Sequence, residues 1–262
     1  MTEVHIESES IKLTNFSQSL GKILGQIGIY TIVQVIAGII LAIFTAIFTS
    51  SMFHWATSPL EIFNQFQTSL WTLIIMSIIL EVIMYFFIIK LIIILKHAGN
   101  QVFLYEDKYR KSALSFSIGI ILGVILIVVD IILINWLLQM IHGILINPSF
   151  QSEDLQQIPS INIGINASLN LMKVGSIVAS IAGFYYLKTN FEELRIYTRN
   201  GKKIVKGFRL LVIGFSFMLL GSLLRMITDF LSFIEFIGLI VTIKGYFKTS
   251  DGLSEVFWTI RF

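Results

Sequence analysis

The sequence predicts an all-α fold, a polytopic transmembrane helical bundle of about six spans, and three observations predict it. The first is composition: 55% of the 262 residues are hydrophobic and 13% are charged, with a mean hydropathy of +0.83, too apolar for a soluble domain of this size. The second is run length. Ala113 to Leu137 is mostly Ile, Leu, Val and Gly, and at about 1.5 Å per residue it exceeds a hydrocarbon core of about 30 Å. The third is the alternation of charge, because Lys and Arg gather in every second connection between apolar runs. Trp55, Trp71 and Trp136 fall near the ends of such runs, as an interfacial aromatic belt requires.

Residues 1–22 read as a cytoplasmic N-terminal segment, acidic through Glu3, Glu7 and Glu9 and lacking the basic flank of a cleavable signal. Asn15 and Gln18 have the spacing of a capping pair, so a helix is expected to start there and enter span one, Ile23 to Phe53. Residues 23–247 form the transmembrane domain. Ser50 to Thr68 holds Pro59, Glu61, Asn64 and Gln65 but no Lys or Arg, and span two follows from Leu70 to Leu95. Lys96 to Lys111 is basic and reads as cytoplasmic. Span three comes next, and then Asn147 to Asn166, with Glu153, Asp154 and no Lys or Arg, reads as an external loop.

Span four, Ala167 to Leu187, is expected to continue as an amphipathic helix through Phe191, Leu194 and Thr198 until Asn200-Gly201 stops it. Spans five (Gly207 to Leu224) and six (Phe230 to Phe247) are short, joined by a turn with Arg225 and Asp229. The last offers only about 26 Å of helix, so this pair either crosses the bilayer or forms a re-entrant hairpin. Residues 248–262, with Lys248 and Arg261, form a cytoplasmic tail. The chain is thus placed in the cell membrane, multi-pass, with both termini cytoplasmic.

Two segments echo one another. Leu95-Lys96 and Leu187-Lys188 are each followed at the same spacing by a Tyr (Tyr105, Tyr197) and then a Lys (Lys111, Lys203). A parallel duplication of span, basic elbow and span would produce this, as would the general likeness of basic elbows. The elbow Leu187 to Phe208, the glycine-punctuated span Leu210 to Leu224 and the short span Ile234 to Phe247 resemble an archaeal family of polytopic membrane proteins of unknown function. The resemblance covers residues 70–250. It implies a membrane bundle and an archaeal source, and it supplies no activity, cofactor or site residue. The long first span and the segment Asn147 to Asn166 have no counterpart in it.

Among the ionisable residues inside predicted spans, Glu81, Asp130, Lys173 and Glu235 are the candidates for a site. Each costs at least about 2.5 kcal/mol on insertion scales and so asks for a partner or a role. Glu81 is near the midplane with Ser77 and Tyr85 on its face, either as a protonated structural group or as a proton or cation site. Asp130, Lys173 and Glu235 are expected at one depth, about 8–10 Å from the outer surface. Lys173 shares a face with Ser176 and Ser180, and an Asp130–Lys173 pair between neighbouring helices is expected. The alternative is that Lys173 snorkels to the outer headgroups and Asp130 is hydrated near the interface.

Three rows of small residues predict helix seams: Gly38, Ala42 and Ala46; Ser115, Gly119 and Gly123; and Gly175, Ala179 and Gly183. Asp130, seven positions after Gly123, shares the second row's face. The elbow cations Lys108, Arg110, Lys111, Arg195, Arg199, Lys202 and Lys203 are expected to set orientation and meet anionic headgroups, with docking of a protein partner as the alternative. The sequon Asn166-Ala167-Ser168 abuts the membrane and is discounted. The absence of cysteine excludes disulfides, thiolate metal sites and cysteine nucleophiles. His5, His54, His97 and His142 are scattered, and no zinc-protease or phosphate-loop motif occurs, so no metal or cofactor is expected. The net charge of +3 is explained by the elbows and carries no nucleic-acid motif.

The first functional expectation is a non-enzymatic helical subunit of a larger membrane assembly, such as a translocation or secretion channel, with other membrane or cytoplasmic subunits as partners. The alternative is an ion- or proton-coupled carrier or channel for a small solute, using the intramembrane carboxylates. An intramembrane enzyme is least supported, because no nucleophile-base or metal-ligand spacing is present.

Overall fold

The computed structural model describes residues 2–55, 59–101, 106–146, 152–195, 198, 200–225 and 232–256, with side chains described within 11–47, 63–98, 107–143, 173–195, 198–224 and 233–256. Six helices account for nearly all of them: α1 (Thr2–Trp55), α2 (Pro59–Gln101), α3 (Glu106–Ile146), α4 (Ser152–Leu194), α5 (Gly201–Arg225) and α6 (Ser232–Ser254). Each helix packs on its neighbours in sequence, and α6 closes against α1, so the six form a ring. Four stretches among the described residues are long and apolar enough to cross a bilayer: Ile11–Leu41, Phe63–Ala98, Asp107–Met140 and Gly201–Leu224. The chain is an all-α protein with the helices of a multi-pass membrane protein.

The pattern on α3 is inside-out. Leu114, Ile118, Ile121, Val124, Val128 and Ile132 are exposed at intervals of three and four, while Ser112, Phe116, Gly119 and Gly123 are buried on the opposite face. In hydrocarbon an outward Ile loses nothing, and close approach through small residues supplies the attraction between helices. The α3–α4 seam is built this way. Gly119 meets Ala179 and Ser176, Gly175 meets Leu122, and Gly183 meets the Phe116 ring. Ser112 Oγ donates to the Gly183 carbonyl at 2.9 Å, and Ser176 Oγ to that of Gly119 at 3.2 Å.

The α5–α6 seam runs on glycines seven residues apart, Gly207, Gly214 and Gly221 on one helix and Gly238, Gly245 and Gly252 on the other. A seven-residue interval keeps one face on one partner over the length of a helix. A Cβ on Gly214 would sit 2.7 Å from Thr242 N and 2.9 Å from Gly238 O, backbone atoms that cannot step aside. Thr242 and Thr249 fill the opposing positions and return their hydroxyls to their own helix, on Gly238 O (2.9 Å) and Gly245 O (2.8 Å). Gly21, Gly25 and Gly28 bring α1 onto the other side of α6, against Tyr246, Ser250 and Leu253.

The tightest packing lies at the basic end. Leu20, Leu24, Leu95, Tyr109, Leu187, Phe208 and Leu211 from five helices are all but fully covered. Beyond this plug Ile36, Ile40, Ile43 and Ile47 of α1 are exposed.

Several expectations change. Helix α1 begins at Thr2, so Asn15 and Gln18 lie within it, both exposed, and Leu13, Phe16 and Ser17 already belong to the buried core. The segment read as an external loop is helical from Ser152, while residues 147–151 and the side chains of Glu153, Asp154 and the Asn166 sequon lie outside the described residues. Asn200-Gly201 opens α5 instead of closing α4. The Asn200 carbonyl accepts from Lys203 N (2.9 Å) and Ile204 N (3.1 Å), the first bonds of a new helix. This earlier start gives α5 25 residues, about 37 Å, enough to cross the core. The seam expected at Gly38 has nothing within 4 Å of an added Cβ, and Ala46 is exposed. The side chains of Ala42, Trp55, Glu61, Arg225 and Asp229 lie outside the described residues, as do Tyr105, Tyr197 and Arg199.

Candidate functional site: an acceptor-lined chamber beneath a charged cluster

A cavity of about 200 Å³ lies at the axis of the ring, and all six helices reach it. Phe184 of α4 is its hub. Its ring meets Phe116 edge-on at 4.9 Å, stacks on Phe215 at 5.5 Å and meets Tyr246 edge-on at 5.8 Å, which ties α3, α5 and α6 to one residue. The plug of buried Leu and Phe closes the chamber toward the basic end.

The lining is mainly apolar, with polar atoms from Thr31, Gln34, Ser180, Thr242 and Tyr246. Their donors are largely spent. Thr31 Oγ1 donates to Ile27 O (2.8 Å), Thr242 Oγ1 to Gly238 O (2.9 Å) and Ser180 Oγ to Ser176 O (3.0 Å). Gln34 Nε2 donates to the Leu80 carbonyl (3.2 Å), which also accepts from Tyr30 Oη (2.8 Å). A hydroxyl that donates to its own backbone offers its lone pairs outward, and a Gln whose amide N–H is engaged offers its carbonyl. Apart from the Tyr246 hydroxyl and the second N–H of Gln34, the chamber therefore presents acceptors.

Farther from the basic end, the four ionisable candidates come from four helices. Lys173 Nζ donates to Glu235 Oε1 across the gap between α4 and α6, with the Lys side chain 36% and the Glu side chain 18% exposed. Glu81 is half-buried one turn above Met84 of the chamber, and both Asp130 and Lys173 act on it electrostatically. Tyr85, one turn below Glu81, lays its hydroxyl over Gly123 of α3. Three carboxyl groups and one lysine thus lie at this end of the chamber, and the lysine is bound to Glu235.

The Asp130–Lys173 pair gives way to Lys173–Glu235, for a reason of register. The bonds of Ser112 to Gly183 and Ser176 to Gly119 set Gly175 against Leu122, which leaves Lys173 about two turns, ~10 Å, short of Asp130. Gly221 of α5, whose missing Cβ would lie 2.8 Å from Glu235 Cα, lets α6 come close enough for the long lysine to reach it. Thr31, Gln34 and Thr242 were not marked as candidates by sequence reasoning. Their signal is the i, i+3 spacing of two polar residues in an apolar run, and the position of Thr242 seven residues after Glu235.

The elbow cations are largely engaged within the chain. Lys108 pairs with Glu193 at 2.5 Å, joining the two basic elbows, Lys111 with Asp107 at 2.6 Å, and Lys203 with Glu255 at 4.0 Å. Lys188 reaches Glu192 at 3.1 Å. Arg195 and Lys202 are exposed. No group of three or more His, Asp or Glu that would hold a metal occurs among the described residues. Compared with known protein families, curated proteins and solved structures, the chain matches none of them.

Proposed function

We propose that the chain is a non-enzymatic integral membrane protein that passes a small cation or proton through the axis of its helical ring, as a carrier or channel. One observation carries this reading: an acceptor-lined chamber reached by all six helices lies beneath a cluster of three carboxyl groups and one lysine. Acceptor oxygens and excess negative charge replace the hydration of a cation and repel an anion. Glu81 and Asp130 are the groups proposed to meet the cation, and the lysine-bound Glu235 holds the α4–α6 gap. The plug at the basic end makes the described arrangement closed on that side, as alternating access requires of one of its states.

The test is flux into proteoliposomes, with protons and monovalent cations followed separately by pH- and ion-sensitive dyes. Glu81→Gln and Asp130→Asn are expected to lower flux at least tenfold while leaving the melting temperature within a few degrees. Unchanged flux in both variants removes the proposal.

The reading as a subunit of a larger assembly rests on a different observation, the exposed Gly38 and Ala46 of α1, small residues that allow close approach by a second helix. Gentle detergent extraction separates the two, because a lone monomer favours the carrier and co-purifying subunits favour the assembly. In either case both termini and both basic elbows are proposed to be cytoplasmic. The cysteine-free chain suits single-cysteine labelling, and cysteines at Asp154 and Lys202 that label from the same side would overturn this orientation.

A further inference from the structure

We infer that the groove between α1 and α2, near the basic end, binds the headgroup of an anionic phospholipid. Two adjoining hollows of about 270 and 340 Å³ run along this seam and share Ser19, Ile93 and Ile94 as walls. Lys22 of α1 and Lys90 of α2 flank the first, and Lys12 and His97 flank the second. Lys12 and Lys22 are ten residues apart, about 15 Å along the helix, so the cations form a ladder on the outer wall of the ring.

What this groove offers an anion is unspent charge from two facing helices. The elbow lysines 108, 111, 188 and 203 all have carboxylates of the chain beside them. Lys12, Lys22 and Lys90 have none among the described residues, which do not include the side chains of Glu3, Glu7 and Glu9. Lys90 rests its ammonium over the Phe86 ring, 4.3 Å from the centre, a contact that leaves N–H donors open to an anion. Ser19 adds a hydroxyl in the wall common to both hollows. A phosphate between Lys22 and Lys90 would meet two cations from opposite helices.

The occupant follows from the surroundings. Ile29, Ile89 and Ile93 stand exposed beside the same seam, so a ligand with its anion at Lys22 and Lys90 lies against bare apolar surface toward the membrane interior. A phospholipid satisfies both surfaces at once: phosphate and anionic headgroup in the lysine ladder, acyl chains along the isoleucines. A free phosphate satisfies only the first. The groove opens outward and the axial chamber inward, so this site is independent of the proposed cation path.

The experiment uses the full chain in neutral detergent, titrated with phosphatidylglycerol, phosphatidylcholine or inorganic phosphate while the melting temperature is followed. Phosphatidylglycerol is expected to raise it and the other two are not. Each lysine near a headgroup contributes about fivefold in binding, so Lys22→Ala/Lys90→Ala should weaken the phosphatidylglycerol response roughly 30-fold. Lys22→Arg/Lys90→Arg and Lys108→Ala/Lys111→Ala should retain it. Equal responses to inorganic phosphate, or a loss in the elbow variant as large as in the groove variant, overturn the proposal. Should the groove variant fail to fold, a photoactivatable phosphatidylglycerol on the unaltered chain decides. Adducts within residues 12–29 and 86–98 support the site, and adducts confined to 107–111 and 195–206 refute it.

Discussion

Replacing Gly214 by Ala tests whether the α5–α6 hairpin is held by backbone contact. The added methyl meets Thr242 N at 2.7 Å and Gly238 O at 2.9 Å. Ordinary contacts begin near 3.4 Å, so the helices must part by about half an ångström, and Gly207 and Gly221 in the same face must follow. Overpacking of this kind costs about 1–3 kcal/mol. Against it stands the gain of about 0.5–1 kcal/mol that Ala brings to any helix interior in place of Gly. Gly38→Ala supplies the control, because nothing lies within 4 Å of its Cβ and it collects that gain unopposed. The difference between the two variants therefore isolates the packing cost. At about 2–4 °C per kcal/mol for a chain of this size, Gly214→Ala should melt about 2–12 °C below Gly38→Ala in the same detergent, read by tryptophan fluorescence or by loss of the monodisperse chromatographic peak. Equal melting temperatures, or a more stable Gly214→Ala, would refute the account of the seam.

Three further outcomes follow from the same contacts. Lys173→Ala and Glu235→Ala should each destabilise the chain more than the double variant does, with a coupling of about 1–2 kcal/mol, whereas Asp130→Ala with Lys173→Ala should add to within about 0.5 kcal/mol; thermal melts of both cycles check this. Ser112→Ala removes the buried donor to the Gly183 carbonyl and should cost about 1 kcal/mol, in contrast to Ser216→Ala, whose exposed hydroxyl bonds only its own helix at Val212 and whose melting curve should overlay the parent. Gly123→Ala strikes only the outer end of the Tyr85 ring, a side chain that can swing, so it should cost less than Gly214→Ala, and Tyr85→Leu should remove most of that cost in the double variant.

The class of fold was legible because hydrocarbon imposes a simple rule, and α3 obeys it along most of its length: bulky residues outward, Ser112, Gly119 and Gly123 inward. The α3–α4 seam was legible for the same reason, since small residues at intervals of four mark close approach. The α5–α6 seam was not read, although its six glycines are plain in the sequence, because its interval is seven and each glycine stands alone within a four-residue window. The partner of Lys173 was misjudged through depth. With Asn147 to Asn166 taken as loop, counting inward from the outer surface set Asp130 and Lys173 at one level, whereas the hydroxyl bonds of Ser112 and Ser176 fix a register two turns away. The chamber was beyond sequence reasoning for a further reason. Thr31, Ser180 and Thr242 are unremarkable singly, and their common orientation depends on ring closure by α6 on α1, which no local pattern encodes.

That closure leaves the ring with seams of unlike kinds. The α3–α4, α5–α6 and α6–α1 seams are each drawn together by glycines that meet the facing helix directly, and such seams have little freedom to slide. The α1–α2 seam, by contrast, contains no facing glycine among the described residues. Near the charged cluster it is tied by two hydrogen bonds, from Tyr30 and Gln34, that converge on the single carbonyl of Leu80, the residue before Glu81. Below that point the seam opens outward into the two lysine-flanked hollows. Any shift of α2 against α1 at this point carries Glu81 with it. Tyr30 and Gln34 are therefore the residues that tie α1 to the stretch of α2 carrying Glu81.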